Sequence, residues 1–241
     1  MHDYLLSTGI ASSFPGAGHW GNATGQGEAA LKLQVRLDVR GGRLVGLALS
    51  DGRQSDRRSP LAQQALPPRT LLLRDLGYFA RPALRELDQH GNYFLTRLQL
   101  QTAVYDQAGV RRSLVDLLRQ ACARPGAVLD QMVLVGSSER LPVRLVAVRV
   151  PGEVAALRRV RLVEQARRTG EPVSEPALTL AEWTVLITNV APALLHAQEA
   201  LVLLAVRWQI DCCSSCGNST VRWTHGGPPS QSVCCAKCTP S

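Results

Sequence analysis

Leu31-Lys32-Leu33-Gln34-Val35-Arg36-Leu37-Asp38-Val39-Arg40-Gly41-Gly42 alternates without a break, apolar at every odd position as far as Val39 and polar or charged at every even one as far as Arg40. A period of two puts the two sets on opposite sides of a pleated strand, so this stretch predicts a strand with one face buried and the other wet. Gly41-Gly42 suits a two-residue hairpin turn, because glycine tolerates positive φ. Leu44 to Leu49 then reads as the returning strand. Whether the sheet that begins here is all-β or α/β depends on the elements that flank the hairpin.

Those elements mix helices with strands. Upstream of the hairpin, Ser7-Thr8-Gly9-Ile10 is the first readable element, and a glycine-rich run extends from Gly16 to Gly27. Downstream, Ser55 to Leu66 reads as a short helix stopped by Pro67-Pro68. Thr70 to Arg74 is a short apolar strand ending at Asp75, and Gly77 allows a tight exit from it. Pro82 to Gln89 reads as a helix closed by Gly91, and Tyr93 to Val104 as another strand. A carboxylate just past a strand end, before a turn and a helix, sits on a rigid support and is well placed for chemistry.

From about Val110 to Glu182 glycine and proline punctuate short apolar runs: Met132 to Val135, Leu141 to Val150, and Val160 to Val163 as a third. This stretch predicts a mainly β insertion. Trp183 to Val190 is a further strand, and Ala193 to Ile210 a helix with Leu194, Ala197, Leu201, Leu204 and Trp208 on one face. The expected class is α/β: a mixed sheet with helices, interrupted by the insertion and followed by an irregular C-terminal tail. The expected divisions are 1–109, 110–182, 183–211 and 212–241.

Bulk properties narrow the function. A chain of 241 residues with 45% hydrophobic content can bury one sizeable core. The net charge of +8 suits a polyanionic partner, nucleic acid first. Lys32 and Lys237 are the only lysines, so nearly all the positive charge is arginine. That residue favours bidentate phosphate contacts but also accumulates under GC-rich coding. Met1-His2-Asp3 lacks the basic start and apolar run of a secretion signal. The most apolar segment, Leu194 to Val206, is interrupted by His196, Gln198 and Glu199 and is not expected to span a bilayer. A cytoplasmic chain is the expectation.

Two motifs carry a resemblance. Val206-Arg207-Trp208-Gln209-Ile210-Asp211 resembles the glutamate motif of the D-D-E insertion-sequence transposases of family four, whose signature is Y-x2-R-x3-E-x6-K. Arg207 fills the arginine place and Asp211 the glutamate place, while Leu204 stands where tyrosine is common and Asn218 where lysine is expected. Arg74-Asp75-Leu76-Gly77-Tyr78-Phe79 resembles the second-aspartate motif, 136 residues before Asp211. Ala30 to Val35 and Asp51 to Pro60 resemble the family's first hairpin and the helix after it.

The resemblance implies a ribonuclease-H-like fold whose three carboxylates bind two divalent metals, usually Mg2+. Such a pair clamps an in-line displacement at phosphorus, one metal activating the attacking oxygen and the other stabilising the leaving one. Here it assigns Asp75 and Asp211 as catalytic and metal-binding residues and Arg207 as a DNA-phosphate contact. The partners it implies are transposon-end and target DNA, and a second copy of the chain. Leu6, immediately before Ser7-Thr8, stands where the first aspartate is expected, and Asp211 is one methylene shorter than glutamate. The family's N-terminal end-binding helices are not seen in this sequence. A truncated copy with impaired catalysis is therefore expected.

Six of the seven cysteines follow Asp211: Cys212, Cys213, Cys216, Cys234, Cys235 and Cys238. Cys213-x2-Cys216 and Cys235-x2-Cys238 have the spacing of a four-cysteine zinc site, so a zinc-ribbon nucleic-acid-binding module is one reading. A frameshift at codon 211 accounts for more and is the favoured reading. Read one base back, Asp211-Cys212-Cys213 becomes an acidic residue and two leucines, Trp223-Thr224 yields an aspartate, and degenerate codons permit the missing lysine at position 218. A third reading is a non-catalytic transposase remnant that still binds DNA.

Overall fold

In the computed structural model, which describes residues 4–17, 28–51, 54–121 and 124–205, the strands join in one mixed sheet. β1 (Tyr4–Ala17), β2 (Glu28–Asp38) and β3 (Arg43–Asp51) form an antiparallel meander. After α1 (Pro60–Gln63), β4 (Leu71–Arg74) lies parallel to β1; after α2 (Arg81–Gln89), β5 (Tyr93–Arg97) lies parallel to β4. The order β3-β2-β1-β4-β5 is compatible with the ribonuclease-H-like mixed sheet that the resemblance implies.

The sheet continues past β5. β6 (Val104–Tyr105), β7 (Arg111–Arg112), α3 (Leu114–Gln120), β8 (Val128–Val135), β9 (Leu141–Arg149), α4 (Gly152–Thr169) and α5 (Glu175–Leu180) lead to β10 (Trp183–Thr188). β10 pairs antiparallel with β5 on one side and with β9 on the other, and β8, β6 and β7 complete the far edge. A final helix, α6 (197–205), crosses back over the sheet.

The central strands are buried on both faces and read as continuous apolar runs, as β4 does with Leu71-Leu72-Leu73. Phe94, Val143, Leu145, Val185 and Ile187 meet Leu84 of α2 and Leu118 of α3 on one side. Leu6, Leu71, Leu73, Leu95, Val146 and Leu186 meet Ala200 and Leu204 of α6 on the other.

Several expectations are corrected. Asp38 pairs with Arg43, so the hairpin loop is the four residues Val39 to Gly42, not two. Val39 is drawn away by its N–H, which donates to Tyr4 O at 2.8 Å. A Cβ on Gly41 would lie 2.4 Å from Asp38 Oδ2, and Gly42 has φ +59°, so both glycines are needed for the loop as built. The polar face of β2 is not wet, since Gln34 and Arg36 are buried beneath residues 54–64. That covering segment is a 3-10 turn (Asp56–Arg58) followed by the four-residue α1, not one helix. Pro60 holds Ser59 extended, where its Oγ accepts from Leu61 N.

Val160 to Val163 lies inside the eighteen-residue α4 and is not a strand. Four apolar-rich residues carry no period. The wider frame, Pro151 before and Gly170 with φ +74° after, marks a helix. The strand from Tyr93 ends at Arg97, where Gln99 and Thr102 form a turn. The last helix begins at 197, leaving Leu194 at 53% exposure in the preceding turn. His196 N donates to Glu199 Oε2 at 2.8 Å, the reciprocal arm of a capping box. Trp208, the rest of the expected helix and the cysteine-rich tail lie outside the described residues.

Candidate catalytic site

Asp75 follows the last residue of β4 and caps the 3-10 turn Leu76–Tyr78. Its Oδ1 accepts Leu76 N–H at 2.6 Å, and its carbonyl accepts Tyr78 N–H at 3.0 Å. The motif Asp-Leu-Gly-Tyr is thus an exit turn that fixes the carboxylate at the carboxyl end of a central strand. Gly77 lets the next layer come close, because a Cβ there would lie 2.3 Å from Asp56 Oδ2. Asp56 in turn accepts from Gln34 Nε2 and pairs with Lys32 Nζ, both at 3.2 Å. The turn after Asp75 therefore rests on a carboxylate that is tied to β2.

The strand beside β4 is β1, in the register Leu6 with Leu73 and Ser7 with Arg74. Leu6, at the place of the expected first carboxylate, is fully buried in the apolar cluster with Leu71, Leu73, Leu95 and Leu204. A leucine there offers a metal no donor atom. Asp211 and Arg207, the other two residues expected at the site, lie outside the described residues. Among the described residues no group of three His, Cys, Asp or Glu side chains converges. Those residues do not fit a two-metal carboxylate set: they supply one carboxylate of the three.

The other face of the same turn is more strongly charged than the motif suggested. Arg74 and Tyr78 are buried beside Arg36. Burial, then the charge of Asp56, pushes the Tyr78 phenol up to about 12. Burial, then the charge of Arg36, pulls the Arg74 guanidinium down to about 10. The signal for Arg74 was present in the sequence, as a cation closing an otherwise all-leucine strand. Its lack of an ion-paired carboxylate was not.

On the opposite flank Arg144 of β9 is 2% exposed and holds Asp130 of β8 bidentately, Nε–Oδ1 at 2.6 Å and Nη2–Oδ2 at 2.5 Å. Its Nη1 donates to Leu195 O at 2.6 Å and Val190 O at 3.3 Å. These bonds fasten the turn that launches α6. Among the described residues no helix is long and apolar enough to cross a membrane.

Comparison with known proteins agrees with the motifs. The family described as the transposase DDE domain matches residues 7–210. The chain is 25% identical over 216 residues to the transposase of insertion sequence IS231F from Bacillus thuringiensis subsp. israelensis, covering 82% of this chain and 44% of that one. It is 27% identical over 199 residues to a putative transposase, InsL, of IS186A from Escherichia coli K12, covering 79% and 52%. The chain thus spans about half the length of these relatives. A piggyBac transposase in a synaptic complex with hairpin DNA is similar at a TM-score of 0.45 and 9% identity, over 88% of this chain and 40% of that one.

Proposed function

Because this chain belongs to the transposase DDE domain family of insertion sequences, we propose that it is the catalytic-core portion of a transposase whose own strand-transfer chemistry is impaired. Its partner is DNA, transposon ends and target, acted on in the cytoplasm. Asp75 and Asp211 stand for the second and third carboxylates, Mg2+ is the metal that the complete site takes, and Arg207 contacts a backbone phosphate. The active unit is a dimer on paired ends. Residues 110–182 act as an insertion between the second and third carboxylates, and residues 212–241 as an aberrant tail.

The observation that carries the impairment is Leu6. It lies on the strand beside β4, in apolar contact and fully buried, where the family's first carboxylate is expected. Loss of one shared ligand removes part of the clamp on the attacking and leaving oxygens. Shortening the glutamate to Asp211 displaces another ligand, and about 1 Å of misplacement can cost on the order of a hundredfold in rate.

The test uses the full chain and DNA carrying the inverted repeats that flank its own gene, in Mg2+. The expected result is retarded DNA in a gel at low salt, weakening steeply as salt rises, without strand cleavage. Mg2+-dependent cleavage that disappears in Asp75→Ala would overturn the impairment and confirm the carboxylate. Absence of any DNA retardation would overturn the partner.

A further inference from the structure

Arg74 is an odd cation. It ends β4 after three leucines and is 5% exposed. Among the described residues no carboxylate lies within ion-pairing distance of it. Nη2 reaches only the carbonyl of Ala62, at 3.4 Å, and Nε is buried without a hydrogen-bond partner. Behind it a second buried cation, Arg36, is engaged by Leu61 O and by Gln64 Oε1. A guanidinium taken out of water without a directly paired carboxylate is costly, and Glu86, the carboxylate that acts on it, stays exposed at the rim.

Arg74 also lines a cavity of about 480 Å3 between the segment after β3 and α2. The walls are largely apolar: Ala62, Ala65, Leu66, Pro82, Ala83 and Leu87. The other titratable groups that face it are Arg57, Tyr78, His90 and Glu86, and of these Arg57, His90 and Glu86 are exposed at the rim. The sum is positive at the floor, apolar on the walls and open to water on one side. Pockets of this size, apolar with a few convergent polar groups, are typical of small-molecule sites.

We infer that this cavity binds a small organic anion, its carboxylate or phosphate head on the Arg74 guanidinium and its apolar body against Ala62, Ala65, Leu66 and Pro82. The side-on edge of a guanidinium matches an oxyanion with two parallel hydrogen bonds. Arg74 directly precedes Asp75, but the cavity lies between the segment after β3 and α2, and the inference does not rest on transposition.

The test is thermal unfolding and calorimetry of the full chain with benzoate, phenyl phosphate and neutral benzamide at fixed ionic strength. The expected result is saturable stabilisation by benzoate or phenyl phosphate and none by benzamide, the stronger anion identifying the head group. Arg74→Gln should weaken binding about tenfold or more. Should that variant fail to fold, Ala65→Trp blocks the exposed rim without touching the arginine and should abolish the response. An equal response to benzamide, an anion response that survives Ala65→Trp, or no saturable response to either anion overturns the site.

Discussion

Arg144 Nη1 donates to the carbonyl of Leu195 at 2.6 Å, joining the middle of β9 to the turn that starts the last helix. The bond matters because the same guanidinium is held bidentately by Asp130 on the next strand and is almost fully buried. Sheet and helix are therefore coupled through one side chain whose charge is already neutralised.

Breaking that side chain should be costly. Arg144→Met leaves Asp130 without its partner and two carbonyls without a donor, a loss of about 3–5 kcal/mol for a buried pair broken on one side. The double variant Arg144→Met/Asp130→Leu should recover a substantial part of it. Chemical denaturation checks both, and an Arg144→Met loss below about 1 kcal/mol would show the pair to be incidental.

Asn189 closes the carboxyl end of β10, directly after Thr188, the residue that pairs with Arg144. Its Oδ1 accepts Phe94 N–H at 2.9 Å, and its Nδ2 donates to Asp88 Oδ1 at 2.7 Å and Asn92 O at 2.9 Å. Asn189→Ala should cost about 1–3 kcal/mol by orphaning Phe94 N–H. Asn189→Asp should cost more, since it loses both donors and faces Asp88 with a second negative charge. Equal midpoints for the two variants in urea would refute this reading.

Gly77→Ala tests the layer beneath Asp75. The added methyl would overlap Asp56 Oδ2, so Asp56 must shift and loosen its hold on Lys32 and Gln34. The expected cost is about 1–3 kcal/mol. Pairing it with Asp56→Ala should remove most of the additional penalty, because the clash then has no second party; strict additivity would place the strain elsewhere.

Tyr78 should titrate late. Its phenol is raised to about 12 by burial and by Asp56. The unfolded phenol loses its proton near 10, so between about 10 and 12 the folded chain binds more protons than the unfolded one. The associated stability is complete below that window and is lost as pH rises through it. Arg74, lowered to about 10, pulls in the opposite sense, because there the unfolded chain holds the extra proton. Phenolate absorbance against pH should show a late step that Tyr78→Phe removes; an unchanged late step in that variant would contradict the burial argument.

The hairpin, the all-leucine strand and the Asp75 turn are legible because each is a local pattern: a period of two, an apolar run, a capped exit. The long α4 escapes a local reading for the same reason, since Val160 to Val163 means little apart from the Pro151 and Gly170 that bound it. The burial of Gln34 and Arg36 is illegible in β2 itself. It depends on a segment some twenty residues later folding over the strand, and only the bonds to Asp56 and Gln64 disclose it. Likewise Asp75 can be picked from its motif, whereas the burial of the guanidinium beside it without an ion-paired carboxylate depends on elements distant in sequence packing around it.

The pairing of β5 with β10 has one further consequence. During synthesis the edge of β5 has no partner until the ribosome has delivered the whole intervening stretch, and the loop so closed is long enough that its entropy slows closure. Nascent chains stalled or cleaved before Trp183 would expose Tyr93–Arg97 as an unprotected edge and seed intermolecular pairing. Insolubility in this protein should therefore depend on where the chain is interrupted, with a sharp improvement once residue 188 has emerged.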